Sequence, residues 1–264
     1  MSKGPGLLTL TTDFGTVDGY SGAVKGRVLS IAPGVQVVDI SHEITPQNIG
    51  QGAWCLRRAV PRFPPGTVHL AVVDPGVGSS RSGVVIETEN YLLVGPDNGL
   101  LSLAAADDGI VRLIEISEDR EEWYKSPSFD ALTFFAPVAG HLLAGISLDE
   151  VGPEAEDLVE WPDPQVKVQG NVIEGAVTAF DRFGNAATNI PSWALDDREV
   201  EHIYLKAAID VTYCDHYAQL AGGVHVGAIV NSDGRLELTR YSGSLQQAMN
   251  IQVGDPVRVL LRPY

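Results

Sequence analysis

Three carboxylates stand where an apolar strand pattern runs out into a glycine turn. Asp13 follows Leu7–Thr12 in Asp13-Phe14-Gly15. Asp74 follows Val68–Val73 in Asp74-Pro75-Gly76-Val77-Gly78. Asp181 follows Ala176–Phe180 in Asp181-Arg182-Phe183-Gly184-Asn185. A strand-end carboxylate beside a turn that lets backbone approach a ligand is where open α/β sheets bind small molecules. Each also has a conformational reading, because Asp bonds its own backbone and Gly supplies a positive φ. The recurrence at three strand ends points to a polar small-molecule site.

The segment Asp74–Arg81 adds a cation across the glycine turn. It reads either as an acid–base pair that holds the turn, or as Arg81 keeping Asp74 ionised and aimed at a water or cation. Gly76-x-Gly78 lacks both the Walker Gly-Lys-Ser/Thr and the full dinucleotide fingerprint, so phosphate binding is a weak reading. Asp13 reads as a helix cap or as an acceptor for a sugar diol. Asn185 either closes a hairpin or offers its donor and acceptor to a base edge. The six histidines, His42 and His141 among them, show no metal-ligand spacing, and no Gly-x-Ser-x-Gly elbow is present. Metal and serine-hydrolase mechanisms are therefore disfavoured.

The formal net charge of −16 argues against nucleic acid and anionic membrane as partners. The chain is 44% hydrophobic and 20% charged, enough to bury a real core over 264 residues. Cys55 and Cys214 stand far apart, as packing residues in a reducing compartment. Met1–Gly6 lacks the character of a signal peptide, and no apolar run approaches the roughly 18 residues of a membrane span. The expected location is the cytoplasm.

The elements that must position these residues change character near Trp161-Pro162-Asp163-Pro164. Before it, strands at Leu7–Thr12, Val35–Ile40 and Val68–Val73 alternate with helices at Tyr20–Ile31, from a Thr45 cap with Pro46 at the first helical position to near Pro61, and at Phe134–Ala144. Val84–Glu87 and Tyr91–Val94 read as a pair, and Gly95–Gly99 as a turn. This order predicts a mainly parallel sheet covered by helices. Beyond the linker, Val166–Val168, Val172–Phe180, Val200–Lys206, Ile209–Tyr213, Val224–Val230, Arg235–Thr239 and Pro256–Leu261 read as strands of a smaller, mostly antiparallel barrel or sandwich. The expected domains are residues 1–162 and 166–264.

Taken in order, six segments resemble the S-adenosylmethionine (SAM) hydroxide adenosyltransferase family, which is related to SAM-dependent chlorinase and fluorinase. They are Thr11–Gly15, Asp39-Ile40-Ser41-His42, Val73–Gly78, Pro96-Asp97-Asn98-Gly99, Phe135-Ala136-Pro137 and Asp181–Asn185. The resemblance implies an N-terminal α/β domain, a C-terminal β-barrel domain, and a homotrimer holding SAM between one subunit's N-domain and its neighbour's C-domain. It implies displacement of methionine from C5′ of SAM, by water in the hydrolases and by halide in the halogenases, with SAM as substrate and no cofactor or metal.

By the same resemblance Asp13 takes the ribose hydroxyls, Asp181 faces the methionine ammonium, Asn185 lies near adenine, and Ser232 holds the methionine carboxylate. Arg240 and Ser242 line the adenine pocket, Phe129 contacts substrate, and Asp74 with Arg81 belongs to an Asp–Arg–His catalytic set. Asp74 stands where halogenases carry tyrosine, which favours water over halide. The chain departs from the pattern at Phe129-Asp130-Ala131-Leu132-Thr133, where Asp130 occupies the histidine position, and at Asp233, where halogenases have arginine. SAM hydrolysis with Asp130 as third catalytic residue is the leading expectation. A halogenase and a SAM- or adenosine-binding protein without turnover are the alternatives.

Overall fold

Strand alternation sorts apolar side chains onto two faces of one sheet in the first half of the computed structural model, which describes residues 6–118, 120–195, 198–206, 209–222 and 226–263. The chain divides into two units, Met1–Pro162 and Asp163–Tyr264. In the first, β1 (Leu7–Thr12), α1 (Tyr20–Ile31), β2 (Gln36–Ser41), α2 (Ile49–Ala59) and β3 (Val68–Val72) are followed by β4 (Gly83–Thr88), β5 (Leu92–Pro96), α3 (Ser102–Asp108), β6 (Ile110–Glu115), α4 (Ala136–Ala144) and the short α5 (Leu148–Val151). Along β3, Val68, Leu70 and Val72 join Val24 and Val28 of α1 and Val138 and Leu142 of α4 in one core. Ala71 and the following Val73 face the other way, into a core with Leu56 of α2 and with Ala104 and Ala105 of α3. A period of two along the strands thus produces helix layers on both faces.

The sheet order is β2-β1-β3-β5-β4-β6. Pairings β1–β2, β1–β3 and β3–β5 are parallel, while β4 is antiparallel to β5 and β6. The chain leaves β1 to one side for β2 and returns past it to β3. The strand order therefore reverses between β1 and β3, and a crevice at their carboxyl ends is where doubly wound sheets take ligands. Asp13 and Asp74 are the residues that leave those two ends.

The helix expected from Thr45-Pro46 begins later. Gln47 has φ 65°, a left-handed conformation no helix interior accepts, and Asn48 is the cap, its side chain accepting from Gln51 N at 2.9 Å. The helix α3 and strand β6 have no counterpart in the sequence pattern, because both are short and one is alanine-rich. Before α4, Ala131–Phe135 forms a single π-helical turn.

The second unit comprises β7 (Lys167–Gln169), β8 (Val172–Phe180), β9 (Ala186–Pro191), β10 (Val200–Leu205), β11 (Ile209–Tyr213), β12 (Gly227–Val230), β13 (Arg235–Thr239), a short α6 (Leu245–Met249) and β14 (Pro256–Leu261). Seven strands close in the order β14-β10-β11-β12-β13-β9-β8, with β8 pairing back to β14 and β7 added alongside β8. Only β11–β12 is parallel among these pairings. The open choice between barrel and sandwich resolves as a barrel, filled by Ile173, Val177, Ile203, Leu236, Leu238, Val257 and Val259. Val224 of the expected Val224–Val230 strand lies outside the described residues. Strand β9, in which Ala186 and Ala187 are followed by buried Thr188 and Asn189, had no apolar run to announce it. Among the described residues no helix is long and apolar enough to cross a membrane.

Candidate active site

Arg81 is the centre of the N-terminal unit's polar cluster. Its Nη2 donates to Asp74 Oδ2 and to Asp130 Oδ2, each at 2.7 Å. All three side chains are nearly out of solvent, at 9%, 5% and 1% exposure for Arg81, Asp74 and Asp130. Two carboxylates at this range repel unless a proton or a cation separates them, and here the guanidinium does so. Each carboxylate is further fixed by backbone. Asp74 Oδ1 accepts from Gly76 N at 3.1 Å, and Asp130 Oδ1 from Ser126 N at 2.7 Å. Arg81 Nη1 donates to Ser82 O, and its guanidinium lies 5.3 Å from the Phe135 ring centre. The two loops meet closely: Gly78, at φ 80°, leaves room for a Cβ only 3.1 Å from Pro127 O.

Burial pushes the Asp74 carboxyl above the usual carboxylate value. Arg81 and the Gly76 N–H oppose that shift, and the Asp130 charge adds to it. Arg81 opposes the cost of burying the Asp74 charge without fully offsetting it. A third carboxyl, Asp97, follows β5. It too is raised, first by burial, with the Val159 N–H opposing, Glu115 adding and Arg81 opposing. Its backbone N–H holds Ser82 O at 3.0 Å, next to Arg81. The sequence marked Gly95–Gly99 as a turn and Pro96–Gly99 as a family landmark, whereas Gly95 and Pro96 close β5; the acid at a fourth strand end was the available signal.

Asp13 caps no helix. Gly19 precedes α1 and makes no side-chain cap. Asp13 Oδ2 instead accepts from Gln47 N at 2.8 Å, holding that residue's left-handed turn. Beside it Phe14, Tyr20 and Phe129 form an edge-to-face trio, with ring centres 5.4 Å apart for Phe14–Phe129 and 4.9 Å for Tyr20–Phe129. Phe129 therefore joins the Asp13 turn to the segment that carries Asp130.

In the C-terminal unit, Asp181 and Asn185 shape the β8–β9 turn. Asp181 Oδ1 accepts from Phe183 N and Asn185 N at 2.9 and 2.8 Å, and Oδ2 accepts from Asn185 Nδ2 at 2.9 Å. Thr239 Oγ1 donates to Asn185 Oδ1 at 2.6 Å. The turn reading of this motif holds, yet an amide with two hydrogens and two lone pairs keeps one of each for a ligand. Asp181, Asn185, Arg240 and Ser242 share the lining of a cavity of about 690 Å³ with Phe183, Tyr217 and Tyr241. Those aromatics are 77%, 48% and 53% exposed, and no sequence pattern singled them out. Ser232 stands in the β12–β13 turn, outside that lining.

A family model described as the SAM hydroxide adenosyltransferase N-terminal domain matches residues 8–152, and its C-terminal counterpart matches residues 175–258. An (R)-S-adenosyl-L-methionine hydrolase of Methanocaldococcus jannaschii is 36% identical over 96% of this chain and 95% of its own. The protein of that name from Thermus thermophilus is 34% identical over 94% and 97%. A fluorinase of Actinoplanes is 27% identical over 98% of both. The crystal structure of an uncharacterized conserved protein from Thermotoga maritima matches with a TM-score of 0.87 at 31% identity, covering 96% of this chain and 99% of that one.

Proposed function

The chain belongs to the SAM hydroxide adenosyltransferase family, and on that premise we propose that it hydrolyses SAM to adenosine and L-methionine by attack of water at C5′. The observation that carries this reading is the single guanidinium shared by Asp74 and Asp130. The sulfonium already makes C5′ electrophilic, so the protein's task is to place a water in line and keep bulk solvent out. Such positioning contributes about 7–11 kcal/mol in favourable cases. Asp74 accepts a proton from that water as the C5′–O bond forms. The C5′–S electron pair returns to sulfur, giving the neutral thioether of methionine. Its upward shift makes Asp74 a better base than an ordinary carboxylate, while Arg81 holds its orientation. Asp130 accepts from the same Arg81 Nη2 and helps fix that guanidinium in place of the family histidine.

The same cluster selects water over halide. Asp74 and Asp130 share one guanidinium with the Asp97 carboxyl near by, a carboxylate-rich field that disfavours a small anion. Nothing in this displacement calls for a cofactor. We assign the ribose hydroxyls to Asp13, an aromatic contact to Phe129, and the adenine and methionine ends to Asp181, Asn185, Ser232, Arg240 and Ser242. The family resemblance supports a cytoplasmic homotrimer in which the N-terminal unit of one chain meets the C-terminal unit of the next.

Purified protein incubated with SAM, with and without excess chloride, tests the reading by chromatography and mass spectrometry of the nucleoside. Adenosine at the same rate in both supports it. A 5′-chloro nucleoside would make the chain a halogenase, and SAM binding without any nucleoside would make it a binding protein.

A further inference from the structure

The landmark Asp39-Ile40-Ser41-His42 takes no part in that chemistry, yet it ends in a buried histidine whose two ring nitrogens face different partners. His42 Nδ1 lies 2.7 Å from Thr12 Oγ1. His42 Nε2 lies 3.1 Å from Asp39 Oδ1, an ion-pair approach that falls short of hydrogen-bond alignment. The side chain is 3% exposed. Asp39 is itself held from α1, where Lys25 Nζ donates to Oδ2 at 2.6 Å. Burial pushes the Asp39 carboxyl up, but the Lys25 bond and the close approach of His42 outweigh it, and it sits below its usual value.

The geometry sets a direction through these groups. The Asp39 carboxylate favours a hydrogen on Nε2, which leaves Nδ1 as an acceptor. The Thr12 hydroxyl then donates to Nδ1 and is free to accept, and Phe14 N donates to it at 3.3 Å. His42 O accepts from Gly15 N at 2.8 Å, so the same residue grips both ends of the Asp13-Phe14-Gly15 turn. A bulge makes this reach possible. The β1–β2 register runs Leu10 to Asp39 and then Thr11 to Ser41, leaving Ile40 as an extra residue that re-aims Ser41 and His42.

We propose that His42 is a positioning residue for substrate: through Thr12 it fixes the turn that aims the Asp13 carboxylate at the ribose hydroxyls. This rests on the assignment of Asp13 to the ribose. A carboxylate binding a diol acts equally in ground and transition states, so its loss raises KM and leaves kcat alone.

The test uses the full-length protein and two competitors of SAM hydrolysis, adenosine and 2′,3′-dideoxyadenosine, which differ only in the diol. Wild type binds adenosine about tenfold more tightly, the scale of one well-placed hydrogen-bonding group. His42→Leu and the near-isosteric Thr12→Val both lose most of that preference and raise the KM for SAM with kcat within about twofold. His42→Asn, which keeps an acceptor near the Nδ1 position, and Thr12→Ser, which keeps the hydroxyl, restore it. Variants that retain the full preference, or that lose kcat and KM together without rescue, would overturn the proposal and leave His42 a packing residue. A wild type that does not distinguish the two nucleosides would instead overturn the ribose assignment of Asp13. Thr12→Val keeps the side-chain volume, so a failure of His42→Leu to fold leaves the test intact.

Discussion

Two polar clusters, one in each unit, meet opposite problems with the same residue type. In the N-terminal unit an aspartate is buried beside a second aspartate and shares one guanidinium with it. In the C-terminal unit an aspartate spends its oxygens on three N–H groups of its own turn, beside a cavity edged with exposed aromatic rings. The first arrangement holds charge out of water, which shifts proton affinity and suits a reaction. The second presents flat apolar faces together with polar groups of Asp181, Asn185, Arg240 and Ser242, which suits recognition of a planar heterocycle. On the proposed assignment, chemistry and recognition fall to two differently charged clusters.

The largest effects come from undoing the charge balance. Arg81→Met leaves two buried carboxylates without their cation, and loss of one partner of a buried ion pair costs about 3–5 kcal/mol. The denaturation midpoint drops accordingly and SAM hydrolysis disappears. Adding Asp74→Asn and Asp130→Asn to Arg81→Met removes the orphaned charges, so stability recovers while hydrolysis does not. If the triple variant is as unstable as the single one, charge is not what the cluster balances. Asp74→Asn alone keeps the shape but removes the base, and kcat falls roughly 10²–10⁴-fold. Retention of full turnover by Asp74→Asn would transfer the chemistry away from this unit.

The same contrast decides how far each cluster was legible in the sequence. Asp74 and Arg81 were visible because they share one loop, and the strand ends that display Asp13 and Asp74 came from apolar periodicity. Asp130 stands 49 positions from Arg81, and its residue type alone gives no sign that it would meet the same guanidinium. The family pattern supplied its position and the expectation of a third catalytic residue, and the fold supplied its contact with Arg81. The aromatic lining of the cavity stayed hidden because Tyr217, Phe183 and Tyr241 come from three separate loops with no shared period. Strand β9 and helix α3 were missed for a related reason. Their burial is decided by neighbours across the sheet, and neither carries an apolar run of its own.

A subtler change separates the two acids of the cluster. Asp130 raises the Asp74 carboxyl by repulsion, after burial, while Arg81 lowers it. Asp130→Asn removes the repulsion and leaves Arg81 to Asp74 alone, so the Asp74 value moves down. With the ionised form as the proposed base, hydrolysis fails as pH falls through that value. The acid limb of the kcat/KM profile therefore lies above the ordinary carboxylate value in wild type and shifts to lower pH in Asp130→Asn. An unmoved or raised limb would mean that Asp74 is not the titrating base.

The smallest effects belong to the recognition side. Phe183 and Tyr241 are 77% and 53% exposed, so truncating either to alanine costs little folding stability, within roughly 0.5 kcal/mol. Each ring offers one face to a ligand, worth about 1 kcal/mol in an aromatic pair. Phe183→Ala and Tyr241→Ala should then raise the KM for SAM about fivefold each, with kcat unchanged, because a stacked base feels no difference between ground state and transition state. Steady-state kinetics on the two variants decides it. A fall in kcat at constant KM would break the separation between the clusters, since it would mean that these rings act on the reacting carbon rather than on the part of the substrate that stays the same.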